Sequence, residues 1–377
     1  MSKTVVVGLS GGVDSSVAAV ILKEQGYNVI GLFMKNWDST TNNDVLGNPA
    51  LEDEICPQEV DYQDAVNVAK KIGVPIFKVD FIKEYWDNVF TYFLDEYKKG
   101  RTPNPDILCN KYIKFDAFLE YAKKFNADYI AMGHYAQVEI INGKPTLLRG
   151  LDNNKDQTYF LSQLTEKQLE KTLFPVGNLT KQEVRELAHK YDLPTKDKKD
   201  STGICFIGER DFDKFLSNYL PSKKGNMITE DGTIIKQHNG LMYYTIGQRK
   251  GLGIGGSNKY KNTPWFVIGK DLTKNELIIG QGFHHPTLYS DSCLVDDVNL
   301  INHDTFDNKT VYTAKFRYRQ ADTKVTIQHV GEKLLINFLE DVRAVTPGQA
   351  AVIYQGKRCL GGGFIEAVYK NKIKRKY

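Results

Sequence analysis

The opening of the chain constrains it most. A β-branched run, Val5-Val6-Val7, leads into Ser10-Gly11-Gly12-Val13-Asp14-Ser15-Ser16, and an apolar stretch from Val17 to Leu22 follows, closed by Gly26. Consecutive β-branched residues predict a strand buried on both faces, and the glycine predicts a helix C-cap. Strand, glycine turn and helix together aim backbone N–H groups and a helix N-terminus at one point, which attracts an anion, most commonly a phosphate. Gly11 and Gly12 let the backbone approach that ligand, and Ser10, Ser15 and Ser16 add hydroxyl donors. Two familiar phosphate loops are excluded. No lysine follows the glycines, and Gly8, Gly11 and Gly12 stand at the wrong offsets for a dinucleotide turn. Asp14 beside a phosphate calls for a Mg²⁺ ion between them.

The alternation continues to about Met132. Asn28–Met34, Ile76–Asp80 and Tyr129–Met132 read as strands; Tyr62–Ile72, Glu84–Lys99 and Asn110–Phe125 read as helices. The class is therefore α/β, with a doubly wound parallel sheet whose ligand lies at the carboxyl ends of the strands. Met34 and Gly133-His134 end two of those strands. Met34 either faces the nucleotide or fills the core, and His134 either lines the site or sits on the surface. The loop 36–57 is long and polar. The loop 100–110 carries Pro103 and Pro105, which stiffen it and deliver Asp106 and Cys109 to the start of a helix. A thiol there has its thiolate stabilised, which makes Cys109 a credible nucleophile; the other reading is a buried structural cysteine. Cys205 follows Lys196, Lys198 and Lys199, positive charge that favours a thiolate or persulfide.

Ala136–Arg149 reads as a hairpin turning on Asn142-Gly143. Lys155-Asp156-Gln157 opens an apolar helix, either as its cap or as a substrate contact, and Thr180–Tyr191 is an amphipathic helix. Beyond Asp211 helices give way to short β-branched runs. The expected division is 1–211 for the nucleotide domain, 212–283 for a β-rich linking domain and 284–377 for a β-barrel. Gly251 to Gly256 matches a dinucleotide motif literally, but no βαβ unit surrounds it, and it reads as a basic loop. Phe316-Arg317-Tyr318-Arg319-Gln320 suits phosphate contact and base stacking, or is an ordinary solvated strand face. Gln349 is a turn residue with a free amide. Five cysteines without a Cys-x-x-Cys pair offer neither a zinc ribbon nor a thioredoxin motif. No apolar run approaches the ~20 residues of a membrane span, and the chain enters a strand at once without a signal peptide, so a cytoplasmic protein with no membrane partner is expected.

The loop Ser10 to Ser15 resembles that of the ATP pyrophosphatase (PP-loop) adenylating enzymes. Together with Phe33 to Trp37, Thr102 to Asn110, Lys155 to Gln157, Ser201 to Gly208 and Tyr244 to Gly253, it closely resembles the bacterial tRNA-specific 2-thiouridylases over essentially the whole chain. The resemblance implies ATP-dependent replacement of the 2-oxygen of a tRNA wobble uridine by sulfur. It implies that Gly8, Leu9, Ser10, Gly11, Gly12, Val13, Asp14, Ser15, Met34 and Gly133 hold ATP with Mg²⁺, without protein metal ligands. Asn104, Pro105 and Asp106 would meet the target base; His134, Lys155, Asp156, Gln157, Arg317, Tyr318 and Gln349 would touch tRNA. Cys205 would carry a persulfide loaded by a sulfur-donor protein (a persulfide relay or cysteine desulfurase), with Cys109 its catalytic partner and Asp106 handling protons or positioning the base. The competing readings are another PP-loop synthetase or amidotransferase, which needs an ammonia source or small acid, and a non-catalytic RNA-binding protein.

Overall fold

The computed structural model describes residues 2–49, 57–200, 207, 210–254, 263–303 and 305–376; Cys205 and most of its motif lie outside the described residues. The N-terminal unit is a five-stranded parallel sheet. Its strands are β1 (Thr4–Gly8), β2 (Asn28–Lys35), β3 (Ile76–Asp80), β4 (Tyr129–Ala131) and, much later in the chain, β7 (Thr172–Leu173). From one edge the order runs β3, β2, β1, β4 and then Thr172–Leu173, every pairing parallel. The order reverses at β1, so the crevice for a ligand opens between the carboxyl ends of β1 and β4. Val5, Val6 and Val7 have no exposed surface, because helices cover both faces. Helices α1 (Val13–Glu24) and α2 (Pro57–Ile72) belong to this cover.

Two helical runs depart from expectation. The aromatic-rich run starts at Ile82, widens to π-type bonding over Trp86–Phe90 and ends as Thr91–Lys98. The run expected at Asn110 begins at Pro105, with Asn104 as N-cap accepting from the Asp106 amide at 3.1 Å. Proline is favoured at the first helical position because its missing N–H costs nothing there. Cys109 therefore sits beyond the first turn, where the run widens over Cys109–Ala117. The helix-terminus argument for its thiolate loses force, since that field fades within one turn.

The hairpin β5 (Ala136–Ile141) and β6 (Lys144–Arg149) turns on Asn142 and Gly143, both at positive φ as a tight hairpin requires. Its partner lies elsewhere: Leu148 pairs with Arg358, so the hairpin is an outlying part of the C-terminal sheet. The middle unit opens with the helix Phe212–Ser217 and then forms a sheet of β8 (Gly225–Ile228), β9 (Ile234–His238), β10 (Trp265–Asp271) and β11 (Glu276–Gln281).

The C-terminal strands β12 (Tyr289–Leu300), β13 (Tyr312–Lys315), β14 (Thr323–Val330), β15 (Lys333–Arg343), β16 (Ala350–Gln355) and β17 (Arg358–Lys370) close on themselves, because β12 pairs with both β15 and β17. Closure removes the exposed edges. Val325, Ile327, Ile336 and Ile353 fill the barrel. A second cluster joins Cys109, Met34 and Met132 of the N-terminal unit to Ala350, Val352 and Phe364 of the barrel, so the two units share a core. Strand β13 ends at Lys315, and Arg317 to Gln320 form a bend rather than a strand face, closed by Gln320 N donating to Arg317 O at 3.1 Å.

Candidate active site

The phosphate loop is built as its sequence demands. Gly11 has φ +73°, and a β-carbon there would lie 2.2 Å from the Asp61 carbonyl oxygen, so both conformation and space require glycine. Gly12 caps α1 without a side chain, which leaves the first-turn amides open to an anion. The Ser10 and Ser15 hydroxyls lie 3.1 Å apart, and Ser16 donates to Gly12 O at 2.7 Å. Gly133, at the end of β4, meets the same turn: a β-carbon would come within 2.7 Å of Ser15 N. At Gly8 a β-carbon would press on Met132 and reach 3.6 Å from the Met34 methyl, so Gly8, Met34 and Met132 abut at the strand ends. Leu9 and Val13 are buried beneath the loop.

Asp14 has two partners within the protein. Tyr135 donates its hydroxyl to the carboxylate at 2.8 Å, and the Lys181 ammonium lies 2.7 Å away. Lys181 also reaches Asp200 at 2.8 Å, and Asp200 pairs with Lys155 at 2.7 Å and Arg185 at 2.9 Å. Burial pushes the Asp200 carboxyl up, but the Lys155 and Lys181 ammonium groups outweigh it and hold the group below the usual carboxylate range. Burial and the Asp14 charge raise the Tyr135 phenol, which stays protonated as a donor.

The expected Lys155-Asp156-Gln157 contact divides into three roles. Lys155 is partly exposed on the Asp200 pair. Asp156 is buried and precedes the N-cap Gln157, its carboxylate accepting from the Thr158 hydroxyl at 2.8 Å and the Gly150 amide at 3.2 Å. Gln157 accepts from the Tyr135 amide at 2.9 Å and so ties this turn to the phosphate loop. His134 is buried between Phe115 and Phe174 rather than on the surface. Burial, aided by Lys114, drives its imidazole well below the ordinary range, so it is neutral, with Nδ1 unpartnered among the described residues.

Cys109 has no exposed surface and belongs to the hydrophobic cluster that also holds Ile107, Met34 and Met132. It is buried, and its cluster extends to Met34 and Met132, which abut Gly8. Cys205 lies outside the described residues. The chain enters that stretch at Asp200, in the Lys181 network, and is next described at Ile207, which packs in the Cys109 cluster. Cys293 and Cys359 are buried in the barrel region, where burial raises both thiols, that of Cys359 to about 12.

Three family models match in succession: a tRNA methyl transferase HUP domain at residues 3–209, a tRNA methyl transferase PRC-barrel domain at 213–281 and an aminomethyltransferase beta-barrel domain at 290–365. The chain is 58% identical over 378 residues to the tRNA-specific 2-thiouridylase of Acholeplasma laidlawii, covering all of both chains. It is 58% identical to that of Enterococcus faecalis, covering 100% of this chain and 99% of that one, and 59% identical to that of Listeria monocytogenes, covering 99% and 97%. The chain belongs to the tRNA-specific 2-thiouridylase family. A solved 4-thiouridine synthetase–RNA complex with bound ATP superposes weakly, with a TM-score of 0.31 and 13% identity over 55% of this chain and 46% of that one.

For a 2-thiouridylase, the barrel residues expected to meet tRNA are engaged differently from a free surface. Arg317 donates through Nη2 to Ile246 O, Ala344 O and Thr346 Oγ1, all within 3.1 Å. Tyr318 packs on Phe160, with ring centroids 4.4 Å apart, and its hydroxyl donates to Lys155 O at 3.4 Å. Gln349 is not a free amide: it donates to Thr102 O at 2.7 Å, at the entrance to the Asn104-Pro105-Asp106 turn. Tyr318 and Gln349 thus reach the N-terminal unit at Lys155 and Thr102, while Arg317 reaches the middle unit at Ile246.

Sequence reasoning missed Lys181, Asp200 and Tyr135. A signal existed for Lys181. Thr180 and Glu183 form a capping box, which makes Lys181 the first helical residue, where a cation opposes the helix dipole unless an anion answers it. Asp14 and Asp200 are those anions.

Proposed function

We propose that the protein thiolates C2 of the wobble uridine of tRNA, using ATP to activate O2 and a cysteine persulfide to supply sulfur. The observation that supports this reading is that Cys109 is buried in the same hydrophobic cluster as Met34 and Met132, the two side chains that abut Gly8 at the start of the phosphate loop.

Three domains divide the work: 1–211 for chemistry, 212–283 as a link and 284–377 for tRNA. Residues Gly8 to Ser15, with Met34 and Gly133, hold ATP. Mg²⁺ travels with the phosphates, and it supplies charge neutralisation during transfer; among the described residues no group of three His, Cys, Asp or Glu is placed to bind a metal. The uracil carbonyl is a poor electrophile because its oxygen is a poor leaving group. Attack of O2 on the α-phosphorus releases pyrophosphate, which the open amides of α1 receive, and makes the oxygen part of a good leaving group. The persulfide carried by Cys205 then attacks C2, and AMP departs with the former O2. The Cys109 thiolate attacks the Cys205 sulfur, leaving 2-thiouridine and a Cys109–Cys205 disulfide that an external thiol reduces. Asp106, one turn before Cys109, positions the base or moves its proton, with Asn104 and Pro105 beside it. The target base must leave the anticodon stack to reach this crevice. Lys155, Gln157, Arg317, Tyr318 and Gln349 guide tRNA, and a persulfide-donating protein reloads Cys205. We place the activity in the cytoplasm; no described helix is long and apolar enough to cross a membrane.

Incubating the protein with tRNA, ATP and a persulfide donor tests the reading by mass spectrometry. The wobble uridine should gain about sixteen daltons, the mass of sulfur less oxygen, only when ATP is present. No gain, or a gain independent of ATP, would reject it.

A further inference from the structure

Lys270 on β10 is a lysine in the wrong place for solubility. It is 4% exposed, and among the described residues its ammonium meets one acceptor, Gly100 O at 2.8 Å. Burial pulls its ionisation down to about 7. Uncompensated burial of an ammonium is costly, so the contact needs an explanation. Gly100 ends the helix Thr91–Lys98 in a Schellman turn, with Gly100 N donating to Tyr97 O at 2.9 Å and Arg101 N to Glu96 O at 3.0 Å. A helix C-terminus carries partial negative charge, which favours a cation there.

The next residues are held as firmly from two other directions. Thr102 N donates to Pro347 O at 3.1 Å, and Thr102 O accepts from Gln349. The hydroxyls of Thr102 and Thr245 lie 3.2 Å apart. Gly100 to Thr102 is thus gripped by the middle unit through Lys270 and Thr245 and by the barrel through Pro347 and Gln349. The chain then passes directly into Asn104, Pro105 and Asp106 and reaches Cys109 one turn later.

We infer that Lys270 is a positioning residue for the reaction: its ammonium fixes the end of the helix Thr91–Lys98 to the middle sheet and so sets where the Asn104–Cys109 segment begins. The inference rests on the proposed roles of Asp106 and Cys109. It gives the middle unit a part in the chemistry that no substrate contact would provide. A small misplacement of reacting groups slows a reaction far more than it weakens binding.

Lys270→Met tests it, because an unbranched apolar side chain fills the same space and replacing a buried charge this way is often neutral or stabilising. The full chain is compared with wild type for thiolation kinetics, melting temperature and amide hydrogen exchange across 101–108. Expected are a melting temperature equal to or above wild type, faster exchange confined to 101–108, a kcat lower by roughly tenfold or more and a KM for tRNA within about twofold. Wild-type exchange with wild-type kcat would overturn the inference, as would an activity loss that merely follows a lowered melting temperature. If Lys270→Met fails to fold, Thr245→Val, a near-isosteric change on the same grip, carries the test through the same readouts. Absence of thiolation by the wild-type protein would count against the proposed function alone, since the exchange measurement needs no turnover.

Discussion

The Lys181 ammonium lies 2.7 Å from the Asp14 carboxylate and 2.8 Å from that of Asp200, joining the first turn of α1 to the residue that precedes the Cys205 motif. With only 15% of the Lys181 side chain exposed, this bridge is screened less than a surface pair. It also offsets a carboxylate that would otherwise repel incoming phosphates. Lys181→Met should therefore raise the KM for ATP by roughly tenfold, the scale of one lost charge contact, while Lys181→Arg retains most of the activity. Pyrophosphate release at varied ATP measures it; an unchanged KM would show that Asp14 does not face the nucleotide.

The same network sets a pH dependence. Asp200 has a folded-state pKa below its unfolded value, because the Lys155 and Lys181 contacts outweigh burial. Its stabilisation is thus fully present above the unfolded carboxyl value of about 4 and is lost as pH falls below that value toward the folded one. Melting temperatures of wild type and Asp200→Asn should differ at pH 7 and converge as the solution is acidified below about 4. Solvent reaches 40% of the Asp200 side chain, so the difference is modest. A gap that persists at low pH would assign the effect to packing instead.

Gly133→Ala probes the crevice by steric means. The added methyl would stand 2.7 Å from Ser15 N and 2.8 Å from Asp14 C, both backbone atoms that cannot swing aside. We expect a loss of about 1–3 kcal/mol in stability with a raised KM for ATP. Chemical denaturation together with pyrophosphate-release kinetics checks both, and a wild-type KM for ATP would remove Gly133 from the nucleotide site.

The cysteines should separate cleanly. Cys109→Ser and Cys205→Ser should each abolish thiolation while leaving ATP-dependent pyrophosphate release measurable, since in the proposed reaction activation of O2 precedes sulfur chemistry. Cys293→Ser and Cys359→Ser, in positions where burial raises the thiol, should retain turnover if they fold. Full turnover in either of the first two variants would refute the two-cysteine scheme.

Much of this was legible from residues alone. The strand ends fell within one residue for β1 to β3, and for β1 and β2 the reason is that strands buried in the middle of a sheet are written as apolar runs. Elsewhere one residue type carries two meanings. Pro105 reads as a loop stiffener but serves as the first helical residue, which moved the helix start and put Cys109 past the first turn. Asp156 looks like a polar surface group, yet its carboxylate is consumed by Thr158 and Gly150. Arg317 and Gln349 look free until segments across the domain junctions supply their carbonyl partners, Ile246 and Thr102. Such pairings span distant parts of the chain, and no local pattern announces them. Lys181 is the exception, a cation at a helix start that points to unseen anions.

In the proposed reaction, ATP makes the nucleobase oxygen leave. This step is tested most directly with tRNA labelled by ¹⁸O at C2 of the wobble uridine, followed through one turnover. The label should appear in the phosphate of AMP, one atom for each 2-thiouridine formed, and be absent from pyrophosphate and water. Label recovered in water, or AMP without label alongside 2-thiouridine, would contradict activation of O2 by adenylation.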